Sequence, residues 1–476
     1  MSSIRLTCAP AERFESGFRR IRSELGVPDG FPVPVETEAR AAAAAWPPAH
    51  DERTDRRDIN LVTIDPEGSQ DLDQAFHAER RGSGYRVHYA IADLGVFVEP
   101  GGALDTEALT RGVTLYSPDE RAGLHPTVIN EDAASLLPGL DRPAVLWSLD
   151  LDQRGELTDV GLERAVVQSR AAESYQQVQA DLDGDNPNPV HDLLREIGTL
   201  RQHREIDRGG VSLNLPCQEV TDHGDHYTLD YDVALPVEGW NAQISLLTGM
   251  TAAQLMIDGG VGLLRTLPPP DRSTLASLQK ISRALEVRWP DGMSYAQWVR
   301  GLDPSIPGQA ALLTQAARGL RGAGYVAFDG DRPDRLEHAA IASTYAHVTA
   351  PLRRVVDRFN NEILLAHAAG CRPAGWLMEA LEELPSIMGR SRQKERALER
   401  SLVDFAEALV LQNRVGDQFD AVVTDIDEDD DEIRLQLLEP AVVTYMAGTG
   451  PALGDTIGVR LDGVDVKAHR VEFSAT

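Results

Sequence analysis

Three aspartates and an amide crowd one short segment of the chain, and their types and spacing suit metal chemistry. The segment is TIDPEGSQDLDQAF, residues 63–76, which carries Asp65, Asp71, Asp73 and then Gln74. The residues before Asp65 predict a strand, and PEGS predicts a turn that folds the chain back on itself. Carboxylates brought close together repel one another unless a cation lies among them. Magnesium or manganese prefers such hard oxygen ligands, and a substrate phosphate can complete the shell.

This pattern predicts the attack of a metal-assisted water molecule on a phosphodiester. Two other interpretations stay open from these residues alone: a solvated acidic turn, and a phosphohydrolase of the haloacid dehalogenase type. The second is disfavoured because its D-x-D directly follows a strand, whereas the DLD of this segment follows a polar turn.

A second candidate constellation is TAPLRRVVDR, residues 349–358. Pro351 disfavours helical geometry at the preceding residue, so a helix is predicted to begin with Pro351. Arg353 and Arg354 then lie in its first turn, where basic side chains oppose the helix dipole. Helix stability therefore does not explain two arginines at this position. Phosphate binding does explain them, because a planar guanidinium pairs bidentately with phosphate oxygens. The alternative is a surface ion pair between Arg353 and Asp357.

A basic stretch near the C-terminal third, GRSRQKERALER, is predicted to lie on one helix. It spans residues 389–400 and includes Arg396 and Glu399. Such a stretch is most often a solvated helix face with ion pairs along it. The alternative is one wall of a channel for nucleic acid.

The chain has 476 residues and a formal net charge of −29. Its length predicts roughly two to four domains. An acidic protein can still bind nucleic acid where a groove concentrates arginine locally. There is no run of about 18 apolar residues and no apolar leader. Cys8, Cys217 and Cys371 are too few and too scattered for a disulfide framework or a zinc site. We therefore expect a cytoplasmic protein that does not contact a membrane.

The hydrophobic patterns divide the chain into three parts, and the predicted fold class is multidomain α+β. Residues 1–57 are predicted to form a small helical module. Residues 58–412 begin with β-branched strands and continue mainly as helices, which predicts a mixed α/β domain. Residues 413–476 hold five short strands with Gly and Asp turns, typical of an all-β OB-fold barrel. The acidic run DEDDDE, residues 427–432, is predicted to be a solvated hairpin tip.

The N-terminal module permits two interpretations. Phe14, Phe18 and Ile21 recur at helical spacing, and VETEARAAAAAW predicts a second helix that ends at Pro47. Two helices with a connecting turn can form a helix-turn-helix reader of nucleic acid. A plain packing module is the favoured interpretation.

Several motifs in sequence resemble one known family. TIDPEGSQDLDQAF, YRVHYAIADLGVFV, LDTEALTRGVTLYSP and YAHVTAPLRRVVDRFNNEILLAH together resemble the ribonuclease II family, whose catalytic domain is the RNB domain. The resemblance covers about residues 58–476. It implies a processive 3′-to-5′ exoribonuclease that releases nucleoside 5′-monophosphates with magnesium, or alternatively manganese. It also implies an RNB catalytic domain over residues 58–412 and an RNA-binding OB-fold after it.

The resemblance assigns site roles by position. Asp73 corresponds to the carboxylate most critical to catalysis, and Asp65 and Asp71 to its partners in organising metal and water. The family motif D-x5-D-x-D-D ends here in Gln74, which is the fourth expected metal ligand but removes one negative charge. Arg353 corresponds to the arginine at the scissile phosphate. Glu399 corresponds to an active-site glutamate.

The resemblance also implies contacts with RNA. Tyr116 matches an aromatic residue that stacks on the 3′-terminal base, and every base offers a π-face for stacking. Tyr175 matches a tyrosine that contacts the ribose near the cleaved end, where the 2′-hydroxyl distinguishes RNA from DNA. Arg354 and Arg396 are the further expected RNA-binding residues. The expected partner is the single-stranded 3′ end of RNA, and the protein is expected to be a monomer.

The chain departs from the family at three places. Gln74 replaces an acidic residue, and NAQISLL carries Gln243 and Ile244 where the family has an acidic pair. The N-terminal residues 1–57 are too few for the two cold-shock domains that usually precede the catalytic domain. These departures leave two alternatives open: a catalytically weak RNA-binding protein with the RNB fold, and a metal-dependent phosphatase of small molecules.

Overall fold

A computed structural model describes residues 4–6, 12–47, 53–211, 217–222, 227–232, 234–303, 306–427, 432–440, 442–448 and 450–476. The helices are α1 Glu12–Glu24, α2 Val33–Ala44, α3 Ala103–Arg111, α4 Tyr175–Leu182, α5 Pro189–Arg208, α6 Pro236–Gly259, α7 Arg272–Ala284, α8 Tyr295–Arg300, α9 Pro307–Gly319, α10 Val355–Ala368 and α11 Gly375–Leu411.

The strands follow the same chain order. They are β1 Ile4–Leu6, β2 Thr54–Asp55, β3 Leu61–Asp65, β4 Gln74–Arg81, β5 Gly84–Ala92, β6 Leu115–Tyr116, β7 Arg121–Ala122, β8 Asp141–Leu151, β9 Leu157–Ser174, β10 Cys217–Asp222, β11 Tyr227–Asp232, β12 Val261–Thr266, β13 Gly324–Asp329, β14 Glu337–His338, β15 Ser343–Thr344, β16 Gln418–Asp427, β17 Glu432–Leu437, β18 Val443–Ala447, β19 Thr456–Asp465 and β20 Arg470–Ala475.

The central sheet of six strands closes on itself. Its order is β2-β9-β3-β4-β5-β8, and β8 also pairs with β9. The first part of the long strand β9 is antiparallel to β8, and its last part is parallel to β3. The loop between β3 and β4 spans residues 66–73 and therefore lies at one end of this closed sheet. The sheet thus brings most of the aspartate segment to a single rim.

Large apolar side chains fill the interior between this sheet and the helices. Trp147 and Tyr89 are almost completely buried on the sheet. Helix α6 carries buried side chains around much of its circumference, which is the pattern of a helix enclosed by protein. Strands β10–β15 lie in the later part of residues 58–412, for which the sequence predicts mainly helices.

The N-terminal helices are present as predicted, and α1 packs into the main body. Phe14 and Phe18 are 1 % and 0 % exposed. Both rings contact Phe405 of α11 edge-on, with centroid distances of 6.0 and 5.6 Å. A side chain at Gly17 would collide with the Phe405 ring, so the close approach requires glycine. The apolar face of α1 is consequently buried inside the molecule, as expected of a packing module.

The C-terminal residues form the predicted all-β unit. Five antiparallel strands pair in the order β18-β17-β16-β19-β20. Their inward side chains, among them Val423, Leu435 and Leu461, are fully buried. Residues 428–431 of the predicted acidic tip lie outside the described residues, as does Cys8.

The prediction that a helix begins at Pro351 is wrong. Helix α10 begins at Val355, and Arg354 precedes it with extended backbone angles (φ −138°, ψ 121°). The reason is a long-range pairing that the local sequence does not reveal. The Arg353 carbonyl accepts a hydrogen bond of 3.0 Å from the Thr114 amide, and Arg354 pairs with the neighbouring residue Val113. Arg353 and Arg354 are therefore presented by a turn before the helix.

No helix among the described residues is long and apolar enough to cross a membrane.

Candidate active site

The part of the aspartate segment that carries Asp71 and Asp73 is fixed by the leucine between them. Leu72 is 2 % exposed, and its amide donates to the Ser135 hydroxyl at 3.0 Å. The same hydroxyl donates to the Gln70 carbonyl at 2.6 Å. Leu72 is thus anchored in the core, while Asp71 and Asp73 extend on either side of it.

Asp73 contacts the turn that carries the candidate arginine. Its Oδ1 accepts a hydrogen bond of 2.8 Å from the Leu352 amide, 279 residues away in the chain. Its Oδ2 lies 3.2 Å from the Arg353 Nε. Burial raises the pKa of Asp73 to about 8, although the Arg353 charge and the Leu352 amide both oppose this rise. The structure therefore joins the two constellations that the sequence analysis identified separately.

Arg353 keeps donor capacity in the site. Its side chain is 34 % exposed. Its buried Nε has no acceptor in hydrogen-bonding geometry among the described residues, despite the proximity of Asp73. The exposed part of the guanidinium can donate hydrogen bonds to a phosphate oxygen while Nε stays beside Asp73.

Arg354 has a different environment from its neighbour. Its Nε and Nη2 donate to Asp357 at 2.9 and 2.8 Å. Asp357 is completely buried and also accepts from the Ala350 amide at 2.7 Å. The expected alternative pairing of Arg353 with Asp357 is thus wrong, because Arg354 occupies that position. Arg354 holds the turn together, and a direct role for it in RNA binding stays a prediction.

Asp71 is enclosed by a small hairpin. Its Oδ1 accepts from Arg121 Nη1 at 2.6 Å, and its Oδ2 accepts from the Tyr116 hydroxyl at 3.1 Å. Tyr116 and Arg121 lie opposite each other in β6 and β7. Arg121 also donates to Glu131 at 3.1 Å. The sequence analysis missed Arg121, although the turn residues SPDE between Tyr116 and Arg121 do signal a hairpin.

Asp65 ends β3 beside a tyrosine. Burial raises the pKa of Asp65 to about 6; the Arg353 charge lowers it and the Asp71 charge raises it further. Asp65 pairs with Ser174, the residue before Tyr175. The Tyr175 hydroxyl accepts a long hydrogen bond of 3.4 Å from Asn241, and burial raises the Tyr175 pKa to about 12. Tyr175 is therefore adjacent to Asp65, and its contact with the ribose stays a prediction.

The side chain at position 74 faces a carbonyl oxygen and must donate a hydrogen bond to it, which the Gln74 amide does. Its Nε2 donates to the Thr349 carbonyl at 2.6 Å. Its Oε1 accepts from the Tyr89 hydroxyl at 3.3 Å, and that hydroxyl is also 2.7 Å from Ser245. A carboxylate cannot donate to the Thr349 carbonyl, which gives a physical reason for glutamine. The role of Gln74 as a metal ligand stays a prediction, as does the role of the buried Gln243, which donates to Glu205.

Glu399 and Arg396 lie on α11. Arg396 is exposed and Glu399 is half-buried. Burial is the main reason that the pKa of Arg265 is lowered, and the positive charges of Arg354 and Arg396 lower it further. Within the described part of the chain, no hydrogen bond or ion pair joins Glu399 or Arg396 to the aspartates. The proposed roles of both residues stay predictions.

The aspartates fit a divalent cation only in part. Nowhere in the described ranges do three His, Cys, Asp or Glu side chains form a group that could hold a metal ion. Asp71 already has a partner for each oxygen. Asp65 and Asp73, however, are carboxylates whose burial raises both pKa values. The single charge of Arg353 compensates these two buried acids only in part, and a divalent cation would supply further positive charge.

Comparisons with known proteins show the family of the chain. The family profile of the RNB domain matches residues 53–370, and that of the RNase II-type exonuclease C-terminal S1 domain matches residues 417–476. Ribonuclease R of Escherichia coli (strain K12) is 25 % identical over 479 residues, which cover 89 % of this chain and 57 % of that protein.

Solved structures show the same fold. A complex of Mycoplasma genitalium RNase R with ribose-methylated single-stranded RNA superposes with a TM-score of 0.84 at 19 % identity, covering 98 % of this chain and 78 % of that one. Yeast Ssd1, described as a pseudonuclease, superposes with a TM-score of 0.69 at 16 % identity, covering 91 % and 56 %. Because the RNB profile spans more than half of the sequence, the chain belongs to the ribonuclease II family of RNB-domain proteins.

Proposed function

We propose that this protein is a 3′-to-5′ exoribonuclease that hydrolyses single-stranded RNA to nucleoside 5′-monophosphates. The observation that carries the proposal is the convergence of Asp65, Asp71 and Asp73 with Arg353. Asp73 contacts the Leu352–Arg353 turn across 279 residues of sequence. Burial of two acids beside one arginine is costly, because one positive charge offsets two negative charges only in part. Family membership, and the likeness to Ribonuclease R, support the same reaction.

The reaction would cleave the bond between phosphorus and the 3′-oxygen of the upstream nucleotide. The attacking water supplies the new oxygen on phosphorus, and the leaving 3′-oxygen takes up a proton. Arg353, whose side chain is 34 % exposed, would donate to the phosphate and stabilise the negative charge of the transition state. Asp73 would orient the attacking water, held in place by the Leu352 amide.

Magnesium is the proposed cofactor, with manganese as the alternative. Asp65, Asp71 and Asp73 would hold the ion, and Gln74 would join them through its oxygen. The bound ion would lower the pKa of a water molecule and neutralise charge on the phosphate. The two raised carboxyl pKa values support this assignment, since a cation would favour the ionised forms.

The RNA contacts are proposed from the positions of five side chains. Tyr116 would offer its ring to the terminal base while its hydroxyl stays on Asp71. Tyr175 would contact the ribose, since it adjoins Asp65 at the end of β9. Arg396 and Glu399 of α11 would line the path of the strand, and Arg354 would contribute charge from the turn. The protein is proposed to act in the cytoplasm as a monomer.

A digestion time course tests the proposal. A 5′-labelled oligoribonucleotide should shorten one nucleotide at a time from its 3′ end and release nucleoside 5′-monophosphates, and EDTA should stop the reaction. A matched oligodeoxyribonucleotide and p-nitrophenyl phosphate serve as control substrates. Cleavage of p-nitrophenyl phosphate without cleavage of RNA would instead identify a phosphatase.

A second candidate function is RNA binding without effective cleavage. The full hydrogen bonding of Asp71 and the amide at position 74 favour it, because both reduce the charge available to a metal. The likeness to Ssd1, described as a pseudonuclease, is a further reason to test it. Tight binding of labelled RNA with no shortening in magnesium or manganese would establish this alternative.

A further inference from the structure

The N-terminal module reaches the candidate active site through one buried arginine. Arg22 lies near the end of α1 and is 5 % exposed. Its Nη1 donates to Asp119 at 2.6 Å, and its Nη2 donates to Glu120 at 2.8 Å. A buried guanidinium with two carboxylate partners is geometrically demanding and costly to disturb. Asp119 and Glu120 lie in the turn that joins β6 to β7.

This turn connects the two residues that enclose Asp71. The Ser117 amide donates to the Glu120 carbonyl at 2.8 Å and closes the turn. Tyr116 precedes it and Arg121 follows it, and each donates to one oxygen of Asp71. The strands β6 and β7 contain 2 residues each. So short a hairpin has little stability of its own and depends on contacts from outside.

Packing alone does not hold the hairpin on this side. A cavity of about 260 Å³ lies between the N-terminal module and the hairpin, and its lining includes Arg22, Phe31, Glu120 and Arg121. The N-terminal module also reaches the other end of the hairpin, through its contact with Arg111 of α3. The guanidinium of Arg111 stacks on Phe31 at 3.7 Å and donates to the Gly123 carbonyl at 2.9 Å. Directional polar contacts therefore replace close packing here.

We infer that Arg22 is a positioning residue for the reaction at Asp71. It fixes the β6–β7 turn, so that Tyr116 and Arg121 hold the Asp71 carboxylate in one orientation. Without Arg22 the hairpin loosens and Asp71 loses its two hydrogen-bond donors. The Asp71 carboxylate can then rotate relative to the other aspartates. The inference rests on the proposed function, since it concerns the rate of RNA cleavage. It gives the atypical N-terminal module a defined task in that reaction.

The effect should be on the chemical step rather than on RNA affinity. Misplacing a catalytic group by a fraction of an ångström lowers the rate without removing contacts to the bulk of the substrate. Arg22→Ala should reduce the single-turnover rate at saturating RNA about tenfold or more. The Kd for RNA should stay within about twofold, because phosphate contacts in the channel dominate binding.

The experiment compares Arg22→Ala and Asp119→Ala with Arg19→Ala. Arg19 is exposed on the same helix and provides the matched control. Single-turnover rates on a 5′-labelled oligoribonucleotide are measured together with the RNA Kd and hydrogen exchange of residues 115–122. Arg22→Ala and Asp119→Ala should show slower cleavage and faster exchange in this segment, while Arg19→Ala matches the wild type. The charge-swapped pair Arg22→Glu with Asp119→Arg should regain part of the rate lost in Arg22→Glu.

The outcomes separate positioning from simple stabilisation of α1. Wild-type cleavage rates for Arg22→Ala overturn the inference, whether or not the exchange of residues 115–122 changes. A slower rate with unchanged exchange also overturns it, because the hairpin would then not be the route. An inactive wild-type protein overturns the proposed function and this inference with it. An active wild type with an unaffected Arg22→Ala overturns the inference alone.

Discussion

The two sides of the aspartate segment differ in how their carboxylates are satisfied. Asp71 lies on the closed side, where Tyr116 and Arg121 each donate to one of its oxygens. Asp65 lies on the open side, with its pKa raised to about 6, principally by burial. Asp73 stands between them and contacts the turn of Arg353. On the closed side, hydrogen-bond donors of the protein fix the orientation of the Asp71 carboxylate. On the open side, the negative charge of Asp65 is available for a bound cation to compensate.

The largest expected effect comes from Asp73, where both sides meet. Asp73→Asn keeps the size of the side chain but removes the charge next to Arg353. We expect hydrolysis to be abolished, while the Kd for RNA stays near that of the wild type because binding depends mainly on phosphate contacts. Single-turnover assays and a filter-binding titration measure the two quantities. Glu67→Gln, an exposed acid in the same loop, is the control. A residual rate of about a tenth or more would remove Asp73 from the centre of the reaction.

The next effect concerns the open side. Arg353→Ala should lower kcat about 10²-fold and weaken RNA affinity only modestly, because a donor aimed at transition-state charge is lost. Arg353→Lys should recover part of the rate, since lysine keeps the charge but lacks the planar fork. Steady-state kinetics on oligoribonucleotides separate kcat from KM. Normal turnover with weakened affinity would make Arg353 a binding residue of the channel.

Gln74 tests whether the amide belongs to the framework or to the metal shell. Gln74→Glu removes the donor to the Thr349 carbonyl and should destabilise the fold by about 1–3 kcal/mol. Urea unfolding measures this change, with Gln70→Glu, an exposed neighbour, as the control. A magnesium titration of the exonuclease rate adds the second readout. A lower half-maximal concentration would place position 74 in the metal shell, and an unchanged value would make Gln74 purely structural.

The smallest expected effect is on protein stability and concerns His191 of α5, which supports the segment next to Asp65. His191 is 3 % exposed and lies 2.8 Å from Glu173 and 2.7 Å from Asp181. Burial opposes protonation, but these two hydrogen bonds raise the pKa of His191 above its usual value. Glu173 and Ser174 lead directly into Tyr175, so the contact supports the segment beside Asp65.

The sign of the pH dependence follows from this raised pKa. The stabilisation is complete below the unfolded-state pKa of about 6.5 and is lost as the pH rises through the folded-state pKa. His191→Gln should therefore reduce the free energy of unfolding more at about pH 5.5 than at about pH 8.5. Urea unfolding at both values is the measurement, with the exposed His203→Gln on the same helix as the control. An equal loss at both values would contradict a charged His191.

The sequence predicted those parts of the site and fold that depend on local patterns. The spacing of Asp65, Asp71 and Asp73, the helical repeat of α1 and the short C-terminal strands all have local signatures. The start of α10 was predicted wrongly because Arg353 and Arg354 pair with residues 113 and 114, a contact between distant segments. The identities of the partners of Asp71 and Gln74 were missed for the same reason. Thr349 accepts the Gln74 hydrogen bond through its backbone carbonyl, a group that every residue carries and that has no sequence signature.

The contact between α1 and α11 also sets a delay during synthesis. Gly26, just after α1, accepts a hydrogen bond from Lys394 of α11, which is 368 residues further along the chain. At ribosomal rates of about 5–20 residues per second, α11 emerges roughly 20–70 s after α1. Throughout that interval Phe14 and Phe18 lack the Phe405 ring that covers them in the finished protein. The apolar side chains of the α1 segment therefore stay uncovered by α11 during this interval, so that a holdase chaperone can bind them, and their final packing must wait for the last third of the chain.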